Sequence, residues 1–382
     1  METPRPGLRS ATVVIVIGTT MLAVFGLVML YGANSATEAA GVLSRQAVAL
    51  LLGLLGAGLV WMAPYDWLKR GAPLAYLVAI GLLITVLASG REINGARRWI
   101  EAGGFRFQPS DFAKLAVLLA LASYCAWVGT RIATFKHGIL APAALVGAVS
   151  GLVFFEPDWG TSLIITGVSA VVLLVAGVRR RHIILPALLG VVAVGVAVYL
   201  NPLRNDRLYS WLHLEQTKET VGYQAWQARI ALGAGGWLGV GFDRSSQRAF
   251  VPERYTDFIF AIIGEEFGFA GSLVLMGMFA AIFRSGMVVA RHAPDTFGTL
   301  LATGISVLIG GQALCNMAVV SSALPNKGLT LPFISQGGSN LMMMLICVGV
   351  LLRIARAAEE RVELADEPLT LFDHLPPMPA RS

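Results

Sequence analysis

Ten blocks of apolar residues succeed one another along the chain, at about 12–33, 46–63, 72–89, 111–130, 139–155, 161–178, 182–200, 258–283, 297–322 and 335–353. Each is long enough to cross a bilayer as a helix, which takes roughly 17 to 25 residues. The polar segments between them are short except for 201–257. The pattern predicts an all-α, polytopic membrane protein of about ten transmembrane helices, with one large loop between spans 7 and 8. The best-marked turn is Arg179 to His182, between the closely spaced sixth and seventh blocks. The first block follows a short basic segment, METPRPGLRS, yet it is longer than a signal-peptide core and reads as a span.

Composition agrees with this reading. Of 382 residues, 56% are hydrophobic and 14% charged, where a soluble chain carries about 25% charge. Cys125, Cys315 and Cys347 all lie in apolar runs with no CxxC spacing, and the five histidines form no HxxxH or HExxH pair, so neither redox nor helix-borne metal chemistry is indicated. Lys and Arg fix the orientation. With the N-terminus inside, the inner segments hold 11 Lys plus Arg in 39 residues and the outer ones 13 in 106. Both termini are therefore expected in the cytoplasm and 201–257 outside. Residues 1–11 form the cytoplasmic lead, 12–356 the membrane domain, and 357–382 a charged, then Pro-rich, disordered cytoplasmic tail.

There is no internal repeat of the kind that marks many secondary transporters. The Gly-rich GAGGWLGVG at 233–241 does not fit GxGxxG, follows no strand, and reads as a flexible turn. Just before it, Tyr223, Trp226 and Ile230 fall at helical spacing, which fits a short helix either on the outer membrane surface or packed on top of the bundle.

Ionisable residues inside a span cost roughly 2.5–3.5 kcal/mol on insertion scales, so the few present call for a reason. In RYTDFIFAIIGEEFGFAG, Asp257 stands at the mouth of the eighth block with Glu265 and Glu266 inside it. Asp257, Ala261 and Glu265 follow i, i+4, i+8 and would share one side of a helix. Glu266 points elsewhere and reads as interhelical packing. A second cluster is FQPSDFAKLA at 107–116: Pro109 suits a helix start, Ser110 or Asp111 can cap it, and Asp111 and Lys114 are placed to pair. A lysine in a first turn opposes the helix dipole and needs an anion, either Asp111 or a bound phosphate. Arg97 and Arg98, on an outer segment, read as anion receptors or as solvated loop charge. Asp158 in DWGTS suits a helix cap. LPNKGLTLPFISQGGSN at 324–340, with Pro332, Gly337 and Gly338, suits a re-entrant or broken-helix loop.

The motifs NGARRWI, FQPSDFAKL, EPDWGTSL, PERYTDFIFAIIGEEFGFAG and LPNKGLTLPFISQGGSN, in this order, resemble the SEDS family of cell-wall polymerases, the FtsW/RodA type, over about residues 12 to 356. LPNKGLTLPF is nearer the division branch of that family than the elongation branch. The resemblance implies a peptidoglycan glycosyltransferase that polymerises lipid II at the outer face of the cytoplasmic membrane, with Asp257 at the position regarded as catalytic and Lys114 and Asp111 functionally important. It also implies a class B penicillin-binding protein as transpeptidase partner, other divisome or elongasome membrane proteins, and no nucleic acid. Two departures stand out: Asp111 where Glu is usual, and Gln336 and Asn340 where the family has Tyr and Ser.

Glycosyl transfer from a lipid diphosphate needs a base for the acceptor hydroxyl and cations for the leaving group. On this reading Asp257 is the base of an inverting transfer, and Lys114, with Arg97, Arg98 or Arg248, meets the diphosphate. Asp111, Asp158, Glu265, Ser335, Gly337 and Gly338 complete the expected substrate site. A divalent ion, Mg2+ or Mn2+, bridging Asp257 and phosphate oxygens is chemically reasonable. The alternatives are a flippase or transporter of the lipid-linked sugar, using Glu265 and Glu266 at depth, and a non-catalytic scaffold of a wall-building complex.

Overall fold

The computed structural model describes residues 6–33, 36–93, 96–102, 105–184, 188, 190, 195, 202–251 and 253–366. Its helices are α1 (Pro6–Ala33), α2 (Ala36–Met62), α3 (Tyr65–Ser89), α4 (Pro109–Val128), α5 (Ala141–Phe155), α6 (Trp159–Val175), α7 (Pro202–Leu212), α8 (Tyr223–Gly235), α9 (Ile259–His292), α10 (Thr296–Val320) and α11 (Gly338–Asp366). Among the described residues eight helices are long and apolar enough to cross a membrane, and α6, at 17 residues, is a shorter apolar one. These account for nine of the ten expected spans. The seventh, 182–200, lies largely outside the described residues. The chain is a multi-pass membrane protein.

Its helices are two-faced in the sense a bilayer requires. Along α1, Ile15, Leu22 and Met29 recur every seven residues and are fully buried, whereas Val13, Ile17, Met21 and Val24 recur every three or four and are more than half exposed. An apolar stripe open on a folded protein is one that lipid covers. Between helices, association depends on close approach rather than on water exclusion, which favours small residues. α2 and α11 cross there: a Cβ on Gly349 would stand 2.6 Å from the Ala57 backbone, and one on Gly53 would stand 3.0 Å from the Met342 Cα.

The bundle has two distinct ends. At one, α1 begins and α11 finishes, linked by Arg9 and Glu359 at 3.7 Å. Tyr65 at the start of α3 donates to Asp295 before α10 at 2.6 Å, and Arg353 donates to the Ala63 carbonyl at 2.7 Å. The opposite end carries the polar segments. There β1 (Arg91–Ile93), β2 (Ala96–Ala102) and β3 (Phe105–Phe107) form an antiparallel sheet between α3 and α4, in the order β1-β2-β3. Opposite charges face each other across it, Glu92 with Arg97 and Glu101 with Arg106. This small sheet was not part of the all-α expectation. α11 also departs from it: the helix continues to Asp366 instead of giving way to a disordered tail at 357, with Arg353 and Arg356 both paired to Glu360.

The region of 233–241 differs most from its expected form. α9 is interrupted at Gly268, whose φ of 68° and ψ of −165° lie outside helical space. A helix would join the Phe269 and Ala270 N–H groups to the Glu265 and Glu266 carbonyls. Instead the Gly236–Gly241 backbone inserts: Phe269 N donates to Gly236 O at 2.9 Å and Ala270 N to Trp237 O at 3.0 Å, while Val240 N and Gly241 N donate to Glu265 O and Glu266 O, each at 3.0 Å. The Gly-rich segment is therefore a fixed insert rather than a flexible turn. α8, just before it, turns Ala228, Ala231 and Gly235 inward, and a Cβ on Gly235 would lie 2.0 Å from the Gly264 carbonyl. Of the two placements open to this helix, it takes the top of the bundle.

Candidate functional site

Asp257 does not begin a helical face, because α9 starts two residues later. It closes a turn from Glu253, in which Thr256 N and Phe258 N both reach the Glu253 carbonyl. Three successive carbonyls of this turn are held from across the bundle. Tyr255 O accepts from Gln336 N at 2.7 Å, Thr256 O from the Ser335 hydroxyl at 2.6 Å, and Asp257 O from Asn316 Nδ2 at 2.8 Å. Asn316 uses its other N–H on the Leu329 carbonyl. Gln46 of α2 braces the same loop, donating to Ser335 O and accepting from Gly337 N. The backbone of Asp257 is thus fixed by α2, α10 and the 329–337 segment together.

Its carboxylate accepts no hydrogen bond from any described side chain, and burial raises its pKa to about 7. Nearby negative charge on Glu253 and Asp158 adds to the rise, and Arg98 opposes it. A carboxylate so poised can accept a proton near neutral pH. Gly328 lies directly against it: a Cβ at that position, where φ is +59°, would stand 3.2 Å from Asp257 Oδ2.

The neighbours come from α5, α6 and the sheet. Asp158 caps α6 as expected, accepting from Thr161 N at 3.1 Å, and its second oxygen takes the Gln108 amide at 3.0 Å. Arg98 donates to the Glu156 carbonyl at 2.9 Å and to the Pro157 carbonyl. Glu156 is fully buried, and its pKa rises to about 8 through burial first and Asp158 second. The tip of α6 approaches the 327–329 segment closely, since a Cβ on Gly160 would be 2.7 Å from Lys327 O. Lys327 is half-buried, and desolvation lowers its pKa.

The remaining expected residues are distributed differently. Asp111 and Lys114 pair at 2.9 Å, but deep between helices: both are buried, and Lys114 also reaches Gln312 and Asn340 at 3.1 Å. An ammonium has three N–H groups, so none is left for a phosphate. Ser339 holds the second Asp111 oxygen at 2.6 Å. The cluster ties α4, α10 and α11, and this corrects the expectation that Lys114 meets the diphosphate. Arg97 is exposed and pairs with Glu92 at 3.6 Å. Arg248 pairs with Asp243 and the Gly32 carbonyl, away from the Asp257 turn.

Glu265 is also corrected. Fully buried, it accepts from Ser246 N and Oγ at 3.0 Å, from Gln247 N at 3.2 Å, and from the Ser245 hydroxyl. It fastens the 245–247 loop instead of sharing a helix side with Asp257 in the substrate site, and Glu266 beside it lies in the field of Arg248 and Asp243. Gly337 spends its N–H on Gln46, and Gly338 opens α11. Sequence reading passed over Asn316, Gln312, Gln46, Gly328 and Lys327. An Asn and a Gln inside the 297–322 apolar block were the available signal.

Among the described residues no group of three or more His, Cys, Asp and Glu converges as a metal site. One carboxylate does not make a resident site, and an ion bridging Asp257 to a diphosphate would arrive with the substrate.

The FtsW/RodA/SpoVE profile, described as cell cycle protein, matches residues 11–360. The chain belongs to this family. It is 38% identical over 354 residues to a probable peptidoglycan glycosyltransferase FtsW of Trichlorobacter lovleyi, covering 90% of this chain and 92% of that one. It is 33% identical to the stage V sporulation protein E of Bacillus subtilis, over 91% and 97% of the two chains. Among solved structures it is similar to a chain from a peptidoglycan synthase complex that coordinates polymerization and crosslinking, with a TM-score of 0.78, 32% identity, and coverage of 90% and 97%. The rod shape determining protein RodA of Thermus thermophilus is similar at a TM-score of 0.69 and 30% identity, over 90% and 95%. An FtsW/RodA/SpoVE bundle thus presents Asp257 among three converging loops.

Proposed function

We propose that this chain is a peptidoglycan glycosyltransferase that polymerises lipid II at the outer face of the cytoplasmic membrane, with Asp257 as general base. The observation that carries the reading is the immobilised Asp257 turn: three consecutive carbonyls are pinned while the carboxylate stays free, its pKa near 7. The names of the FtsW relatives support the activity. The two-ended bundle supports the orientation, because α1 begins and α11 finishes at the end opposite Asp257, where Lys and Arg are also denser.

In the step, Asp257 takes the proton of the acceptor 4-hydroxyl as that oxygen attacks the anomeric carbon. The bond from this carbon to the diphosphate oxygen breaks on the opposite face, and its electron pair leaves with the diphosphate. Inversion follows, with no covalent intermediate. The leaving charge needs fixed cations. Arg98 keeps N–H groups beyond those spent on two carbonyls, and Lys327 stands next to Gly328. These two replace Lys114 in that role. The polyprenyl tails lie in the bilayer against the exposed apolar stripes. A class B penicillin-binding protein supplies crosslinking, in keeping with the synthase complex to which the chain is similar.

The test is polymerisation of purified lipid II by the reconstituted chain, alone and with its transpeptidase, comparing wild type with Asp257→Asn. Loss of glycan strands in a folded Asp257→Asn protein is expected. Equal polymerisation removes Asp257 as the base, and movement of lipid II across vesicles without polymerisation favours a transporter.

A further inference from the structure

A hollow of about 160 Å³ opens between α7, α8 and the segment that follows α10. Arg207, Trp211, Val221, Gln224, Ser322 and Asn326 line it. Its walls are fixed. Trp211 Nε1 donates to the Ser322 carbonyl at 2.9 Å, which sets the indole plane, and Asn326 Nδ2 donates to Gln224 Oε1 at 3.2 Å, which joins α8 to the loop.

Two of its polar side chains, Ser322 and Arg207, remain uncommitted among the described residues. The Ser322 hydroxyl is buried and has no partner among the described residues, and the backbone there is left-handed, with φ at 62°. A non-glycine residue held in that region is strained, and such strain gathers at binding and catalytic sites. Arg207 is exposed, and no described carboxylate pairs with it. The hollow also adjoins the chemistry: two residues after Asn326, Gly328 abuts the Asp257 carboxylate, and two residues of chain reach at most about 7 Å.

We propose that this hollow receives the carboxylate-bearing peptide arm of the sugar unit that reacts at Asp257. The inference rests on the glycosyltransferase reading. Each lipid II unit carries its peptide on one of its sugars, so the arm must lie within a few residues' reach of the reacting centre. The diphosphate is met by Arg98 and Lys327, which leaves Arg207 for a different anion on the same molecule. A guanidinium fork matches a carboxylate in two parallel hydrogen bonds. The Gln224 and Ser322 side chains suit peptide amides, and Trp211 offers a flat apolar wall. The hollow thereby makes the enzyme selective for units that bear an acidic peptide.

The test compares wild type, Arg207→Ala and Arg207→Lys, each as the full chain in the reconstituted assembly that polymerises. Two substrates are used, native lipid II and lipid II whose peptide carboxyls are amidated. Arg207→Ala is expected to raise KM for native lipid II about tenfold with kcat little changed, and Arg207→Lys to raise it less, because a lysine lacks the fork. On the amidated substrate wild type should already show the raised KM, and the substitution should add nothing. An equal rise on both substrates, or none on either, overturns the proposal. So does weaker retention of the transpeptidase by Arg207→Ala with unchanged KM, which would make the hollow a protein contact. If Asp257→Asn, run alongside, polymerises normally while the Arg207 contrast holds, the base assignment fails and the peptide site stands. If wild type polymerises neither substrate, the glycosyltransferase reading fails and takes the peptide site with it.

Discussion

Gly328 is the position where a single added methyl group should separate catalysis from folding. Its φ is +59°, and a Cβ there would stand 3.2 Å from Asp257 Oδ2. Alanine in the left-handed region costs about 1–2 kcal/mol, a moderate loss for a bundle of this size. The contact itself would push the carboxylate by a few tenths of an ångström. A 1 Å misplacement of a reacting group can cost on the order of 100-fold in rate, so a displacement this small should cost about five- to tenfold. Gly337, in the neighbouring Gly pair, is the control, because a Cβ there meets nothing closer than 3.7 Å. Initial rates of lipid II polymerisation by the reconstituted protein, with thermal unfolding measured on the same preparations, decide the matter. Gly328→Ala should polymerise about five- to tenfold more slowly while staying folded, and Gly337→Ala should be near wild type. If Gly328→Ala runs at the wild-type rate, or Gly337→Ala falls as far, the placement of Asp257 against Gly328 is not what sets the rate.

Lys114→Met strands a buried Asp111 carboxylate, so a stability loss of about 3–5 kcal/mol is expected, and adding Asp111→Asn should recover part of it in detergent unfolding. The pH dependence of kcat/KM should follow Asp257. Protonation below about 7 removes the base, so activity falls as pH drops through that value. Replacing Glu253 by Gln deletes a negative charge that raises the Asp257 pKa, so it should move this acid limb to lower pH; an unmoved limb would assign it to another group. Gly268→Ala places a Cβ 2.4 Å from Gly239 N on a backbone with φ of 68°. It should abolish accumulation of folded protein in membranes, and normal yield with normal activity would contradict the inserted segment.

Hydropathy alone carried most of the architecture, because a bilayer imposes the length of every apolar block. Local spacing carried the Asp111–Lys114 pair and the Asp158 cap, both of which need only three residues of helix. The environment of Asp257 was legible as a position but not as a geometry. The groups that fix it lie 59, 78 and 79 residues away, at Asn316, Ser335 and Gln336, and no periodicity links such distances. Lys114 misled for a related reason: a lysine near a helix start looks the same whether its partner is a phosphate or a ring of buried amides. Nor does hydropathy register the break at Gly268, since a glycine there leaves an apolar run apolar. The strand pairs in 91–107 did leave a cue, the Asn-Gly and Gly-Gly dipeptides of the sequence.

The interrupted helix has a consequence for biogenesis. Broken at Gly268 but without the insert, α9 would carry four main-chain groups without partners, the Glu265 and Glu266 carbonyls and the Phe269 and Ala270 amides, each costing several kcal/mol in hydrocarbon. The complementary groups on Gly236, Trp237, Val240 and Gly241 satisfy all four. They precede α9 in the chain and are therefore synthesised first. The order of translation thus makes the segment available before the helix whose break it fills.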